Sequence, residues 1–102
     1  MSSNLLHIDI SFNRKITDNG LKYISTLKNL QHIVMNNCEN ITDNGLKYIS
    51  IMTNLQYINI YQCENITDDG LKYISTMTNI RCINTCVQIR RISGPIIQQM
   101  RK

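Results

Sequence analysis

A run of ten residues, ITDNGLKYIS, begins at Ile16 and again at Ile41, and returns as ITDDGLKYIS at Ile66. The spacing is 25 residues both times, and residues 16–40 and 41–65 are identical at 17 of 25 positions. A period of this length marks a stacked array in which each unit touches only its neighbours. One unit alone cannot bury its own apolar face. Successive units bury it jointly, so about three are needed for a stable core.

Each unit divides into a helix half and a strand half. Thr17, Thr42 and Thr67 stand where an N-cap is expected, with a hydroxyl oxygen able to accept a backbone N–H. The apolar residue before each cap and the one five places on form a staple: Ile16 with Leu21, Ile41 with Leu46, Ile66 with Leu71. Asp18, Asp43 and Asp68 fall in the first turn, where the helix dipole favours negative charge. Leu21, Ile24 and Leu27 then recur at helical spacing. In the strand half, Leu30, Ile33, Met35 and Cys38 alternate with residues that are polar apart from Val34. The same pattern reads Leu55, Ile58, Ile60, Cys63, and at the start Leu5, Ile8, Ile10, Asn13.

These residues resemble the leucine-rich repeat, whose strand half reads LxxLxLxxN or LxxLxLxxC. The ITDxGLxxL half is similar to the cysteine-containing subtype found in F-box proteins that select substrates for ubiquitin ligases. The resemblance covers about residues 5–85, with Cys38, Cys63 and Asn13 at the ninth strand-half position. No F-box helices are recognisable, and Leu27, Met52 and Met77 stand where the subtype has a second Cys. The resemblance implies an α/β fold, a short solenoid with about four parallel strands on the concave face and four helices on the convex face.

The expected strands lie near 5–11, 30–36, 55–61 and 80–89, and the helices near 18–27, 43–52, 68–77 and 94–101. A single domain then spans 1–102: a partial first rung 1–15, repeats 16–40, 41–65 and 66–90, and a C-terminal capping unit 91–102. In that last unit Ile92, Ser93 and Ile97 fall 26 residues after Ile66, Thr67 and Leu71, with Ser93 as cap. The first rung has nothing beside it, and an uncovered strand edge invites another chain. A second copy or a partner is expected there.

No nucleophile–base pair, Gly-rich phosphate loop or paired catalytic carboxylate is present, so an enzyme is not expected and no cofactor is implied. No apolar run approaches the roughly 20 residues of a membrane span. Residues 1–7, MSSNLLH, lack the charged and apolar regions of a secretion signal. The expected setting is intracellular and cytoplasmic, with cysteines reduced. The sequons at Asn40 and Asn65 then read as by-products of the repeat.

Between the inward strand positions lie three outward columns. They are His7, His32, Tyr57, Cys82; then Asp9, Val34, Asn59, Asn84; then Ser11, Asn36, Tyr61, Cys86. All three outward positions are among the few that differ between 16–40 and 41–65. A constant scaffold with a changing presented face is what a partner-binding surface looks like, and Tyr is a favoured interface anchor. The expected function is a protein–protein interaction module that grips a partner on this face, adaptor-like in ubiquitin pathways as the resemblance implies. His7 and His32 are neighbours, but no spacing matches a metal motif, so no metal is expected. Cys38 and Cys63 sit one rung apart with parallel side chains, which argues against a disulfide.

Two alternatives stay open. The cluster Arg90, Arg91, Arg101 and Lys102 suits an anion or a nucleic acid, although a net charge of +4 is mild for that role. Lys22, Lys47 and Lys72 beside Tyr23, Tyr48 and Tyr73 read first as a solvated helix face. The chain also reads as a self-associating repeat fragment.

Overall fold

In the computed structural model, which describes residues 5–85, four short strands alternate with three helices. The strands are β1 (His7–Asp9), β2 (His32–Val34), β3 (Tyr57–Asn59) and β4 (Cys82–Asn84). The helices are α1 (Asp18–Ile24), α2 (Asp43–Ile49) and α3 (Asp68–Ile74). All four strands form one sheet in the order β1-β2-β3-β4, every pairing parallel. The register equals the repeat: Ile8 lies opposite Ile33, Ile33 opposite Ile58, and Ile58 opposite Ile83. Parallel neighbours need a crossover connection, and each helix half provides it. This is the expected short solenoid. The expected helix at 94–101, the strand segment beyond residue 85 and the capping unit lie outside the described residues.

The caps follow the sequence. Thr17, Thr42 and Thr67 are extended, with φ −118 in each, and each hydroxyl accepts the backbone N–H two residues on, at 3.3, 3.3 and 3.2 Å. The helices end three residues earlier than the apolar spacing predicts, at Ile24, Ile49 and Ile74. The cause is the serine hydroxyl that follows each helix. Ser25, Ser50 and Ser75 donate to the carbonyls of Lys22, Lys47 and Lys72 at 2.6, 2.6 and 2.7 Å. Such local bonds compete with the helical ladder. The chain then closes in a tighter turn, with Leu27 N–H donating to Ile24 O at 2.9 Å. The strands are likewise shorter than expected, three residues each.

The core runs between sheet and helices, along the stack. Leu30, Ile33, Met35, Cys38, Leu46 and Ile49 are fully buried, as are Leu55, Ile58, Ile60, Leu71, Ile74 and Ile83. Ile8, Ile10, Ile16, Ile24 and Leu27 are only partly buried, because among the described residues no rung precedes the first.

Polar ladders tie the rungs together. Asp18 accepts the N–H of Thr42 at 2.7 Å and its hydroxyl at 2.5 Å. Asp43 does the same for Thr67, at 2.7 and 2.6 Å. The amide groups of Asn40, Asn65, Asn54 and Asn79 donate to carbonyls of the preceding rung, at 2.5 to 2.8 Å. Asn40 and Asn65 thus carry structural bonds, in keeping with the sequons being by-products of the repeat. The thiols behave similarly: Cys38 donates to Ile10 O at 3.1 Å and Cys63 to Met35 O at 2.7 Å.

Candidate functional site

Residues on a strand alternate sides, so while Ile8, Ile33, Ile58 and Ile83 enter the core, their neighbours line the outer sheet face. His7, His32, Tyr57 and Cys82 stand side by side across the four strands. The His7 and His32 rings are 5.7 Å apart and tilted by 54°. The rings of His32 and Tyr57 are 5.8 Å apart, nearly edge to face at 68°. Such offset arrangements are favoured between π-systems and stiffen the column. Asp9, Val34, Asn59 and Asn84 form the second column. Ser11, Asn36 and Tyr61 follow as the third, and Cys86 lies outside the described residues.

Hydrogen bonds hold this face in shape. The Ser11 N–H donates to Asp9 Oδ1 at 3.0 Å, and Asn36 N–H donates to Ser11 Oγ at 3.0 Å. The hydrogen bond with the Ser11 side chain, then that with its backbone N–H, holds the Asp9 carboxyl below the usual carboxylate range. One rung along, Tyr61 N–H donates to Asn59 Oδ1 at 3.2 Å, and the Asn59 amide approaches the Tyr57 hydroxyl at 3.4 Å. Asn36 Oδ1 is buried between these columns with no hydrogen-bond partner among the described residues. Tyr61, 45% exposed, stands at the rim. Asp9 is the one carboxylate in the three columns, so the face is nearly neutral and rich in ring edges, hydroxyls and amides. That chemistry suits recognition of a polar protein surface better than that of a polyanion.

At the turn after each strand, Phe12, Asn37 and Gln62 take φ of 60, 58 and 60. Asn accepts this left-handed backbone readily, whereas Phe does so at a cost of about 1–2 kcal/mol. Phe12 is also 73% exposed. Sequence reasoning passed over it, although an aromatic residue where the other rungs carry amides was a visible signal.

The cysteines of the repeat belong to the scaffold. Cys38 and Cys63 are buried, each with its thiol donating to a carbonyl of the preceding rung. Burial pushes the Cys38 thiol above its ordinary value, against the opposing hydrogen bonds from the Asn13 and Phe12 backbone. Among the described residues, no group of three His, Cys, Asp or Glu side chains is arranged to hold a metal. No helix of the described residues is long and apolar enough to cross a membrane. Arg90, Arg91, Arg101 and Lys102, the anion-binding candidates, lie outside the described residues.

A family model described as Leucine Rich repeat matches residues 2–25, 26–50 and 52–75. The three matches follow the 25-residue stacking seen in the sheet. A search of curated proteins gave no match to the chain.

Proposed function

The chain belongs to the leucine-rich-repeat family, and from that membership we propose that it holds a protein partner against its sheet face. Repeats of this family serve generally as protein-interaction modules. A fold alone does not assign a function, so the reading rests on the site. The observation that carries it is the contrast within two nearly identical repeats. His32, Val34 and Asn36 become Tyr57, Asn59 and Tyr61, while the caps, the staples and the buried helix residues Leu21 and Ile24 recur unchanged as Leu46 and Ile49. The partner's residues meet the columns His7, His32, Tyr57, Cys82 and Asp9, Val34, Asn59, Asn84, with Tyr61 as rim anchor. The resemblance of Cys38 and Cys63 to the cysteine-containing subtype suggests an adaptor role in an intracellular ubiquitin pathway as the finer reading.

Tyr57→Ala/Tyr61→Ala tests this, because Tyr57 is half-buried and Tyr61 exposed, so truncation spares the core. Affinity capture with quantitative mass spectrometry is expected to lose at least one partner by about tenfold or more, the effect of removing an interface anchor. Equal recovery of every partner by the double variant contradicts the sheet-face reading. The same capture across about 50 to 200 mM salt separates the anion-binding alternative, since contacts to phosphate weaken steeply over that range.

Among the described residues nothing covers the outer face of the first rung, which supports self-association. Leu5, Leu6 and Phe12 are 44%, 48% and 73% exposed, and Ile8, Ile10, Ile16 and Ile24 are only partly covered. A second copy seated there would bury this apolar edge. Light scattering after size exclusion at micromolar concentration is expected to give twice the mass of 11.8 kDa. A clean monomer excludes the homodimer.

A further inference from the structure

The helix side carries a feature that neither the fold nor the sheet-face site explains. Thr26 and Thr76 follow α1 and α3 and donate their hydroxyls to the carbonyls of Tyr23 and Tyr73, at 2.7 and 2.8 Å. At the same place after α2 stands Ile51. It has no hydroxyl to make that bond, and it leaves an aliphatic side chain 67% exposed. A lone exposed apolar residue needs no explanation. Ile51, however, lies beside a groove of about 460 Å³ lined by Asp18, Asn19, Asn44, Lys47 and Tyr48. Asn44, Lys47, Tyr48 and Ile51 are spaced by three and four residues and so share one stripe of the second rung. Tyr23, the counterpart of Tyr48 one rung before, is 69% exposed outside the groove lining.

The charge around the groove favours one kind of occupant. Asp18 and Asp43 turn both oxygens to the next rung's Thr and sit against the positive end of a helix dipole. Lys22 and Lys47 are exposed, and among the described residues neither is in an ion pair. The third rung differs. There Asp69 replaces Asn44, Lys72 meets it at 3.7 Å, and Thr76 restores the hydroxyl. An unpaired lysine and an exposed aliphatic side chain therefore coincide on the second rung and not on the third. We infer that the α1–α2 helix face is a second docking surface, whose occupant is an acidic amphipathic protein segment. Its carboxylates meet Lys22 and Lys47, and its apolar side chain packs on Ile51 and Tyr48. Two lysines are too few to hold a run of nucleic-acid phosphates, whose binding depends on many cations.

The test is fluorescence anisotropy with a labelled synthetic helix carrying Glu on one face and Leu on the other. A Lys/Leu helix and an oligouridine serve as comparison probes. The Glu/Leu helix is expected to bind saturably, and the other two are not. Ile51→Thr installs the residue that the first and third rungs already accommodate, so unfolding temperature should hold while affinity drops about tenfold. Lys22→Gln/Lys47→Gln is expected to weaken binding by a similar factor, and Tyr57→Ala/Tyr61→Ala to leave it unchanged. That last comparison keeps this surface independent of the sheet-face reading. Amide chemical shifts should move at Lys22, Tyr23, Lys47, Tyr48 and Ile51. Undiminished binding by Ile51→Thr, equal binding of the Lys/Leu helix, or preference for oligouridine overturns the proposal.

Discussion

Gly70→Ala is expected to destabilise the chain by about 3 kcal/mol, whereas Gly20→Ala stabilises it by up to about 1 kcal/mol. The two glycines hold the same repeat position, so helix propensity predicts the same gain for both. What separates them is the rung in front. A Cβ at Gly20 would meet only Ile16 Cγ2, at 3.2 Å, the end of a side chain on a partly open face. At Gly70 it would collide with Asp43 Oδ1, press Cγ at 2.9 Å and lie 3.1 Å from the Asp43 Cα. Backbone cannot give way there unless α2 and α3 move apart. Displacing the carboxylate instead breaks its bonds to the N–H and hydroxyl of Thr67. Gly45→Ala falls between, since the Asp18 Oδ1 at 2.5 Å and Leu21 Cδ1 at 2.8 Å are side-chain atoms. In a chain of this size each kcal/mol moves the melting temperature by roughly 4–8 °C. Thermal unfolding followed by circular dichroism is the measurement. Equal shifts for Gly20→Ala and Gly70→Ala would show that close helix stacking does not dictate glycine here.

Much of this was readable before any coordinates. Two nearly identical 25-residue segments must stack identically, and that alone orders the strands and sets Ile33 opposite Ile58. Thr17, Thr42 and Thr67 were legible as caps because each sits between a staple residue and an acidic first turn. The helix ends were not. Leu27, Met52 and Met77 continue the apolar spacing, so only the competing hydroxyls of Ser25, Ser50 and Ser75 reveal the earlier stop. The sheet-face columns followed from strand alternation. The edge-to-face contact of His32 with Tyr57 did not, since side-chain rotation is invisible in a period. The hydrogen bonds of Asp18 and Asp43 were also hidden, because a helix dipole already accounts for an acid in the first turn. Their one sequence trace is a constant offset of 24 residues from each Asp to the next rung's Thr.

Asp18→Ala is expected to cost about 2–3 kcal/mol, and Asp68→Ala no more than about 0.5 kcal/mol. A dipole account treats the two alike, since both open a helix behind a threonine cap. The geometry separates them. Asp18 receives two hydrogen bonds from Thr42, which is partly shielded from water, and bonds to an ionised acceptor are the stronger kind. Removing the carboxylate strands an N–H and a hydroxyl between two rungs and loosens α1 against α2. Asp68 Oδ1 is buried and has no hydrogen-bond partner among the described residues. Its deletion therefore removes no rung-to-rung hydrogen bond among the described residues, only the dipole interaction. Asp18→Asn should fall between Asp18→Ala and the native chain, because an amide oxygen still accepts one bond while its NH₂ faces a second donor. Urea unfolding of the three variants reads the order directly, through midpoints at a shared slope. Equal costs for Asp18→Ala and Asp68→Ala would reduce the carboxylate ladder to a dipole effect, and the rungs would then be coupled by the sheet, the apolar core and the asparagine and thiol bonds.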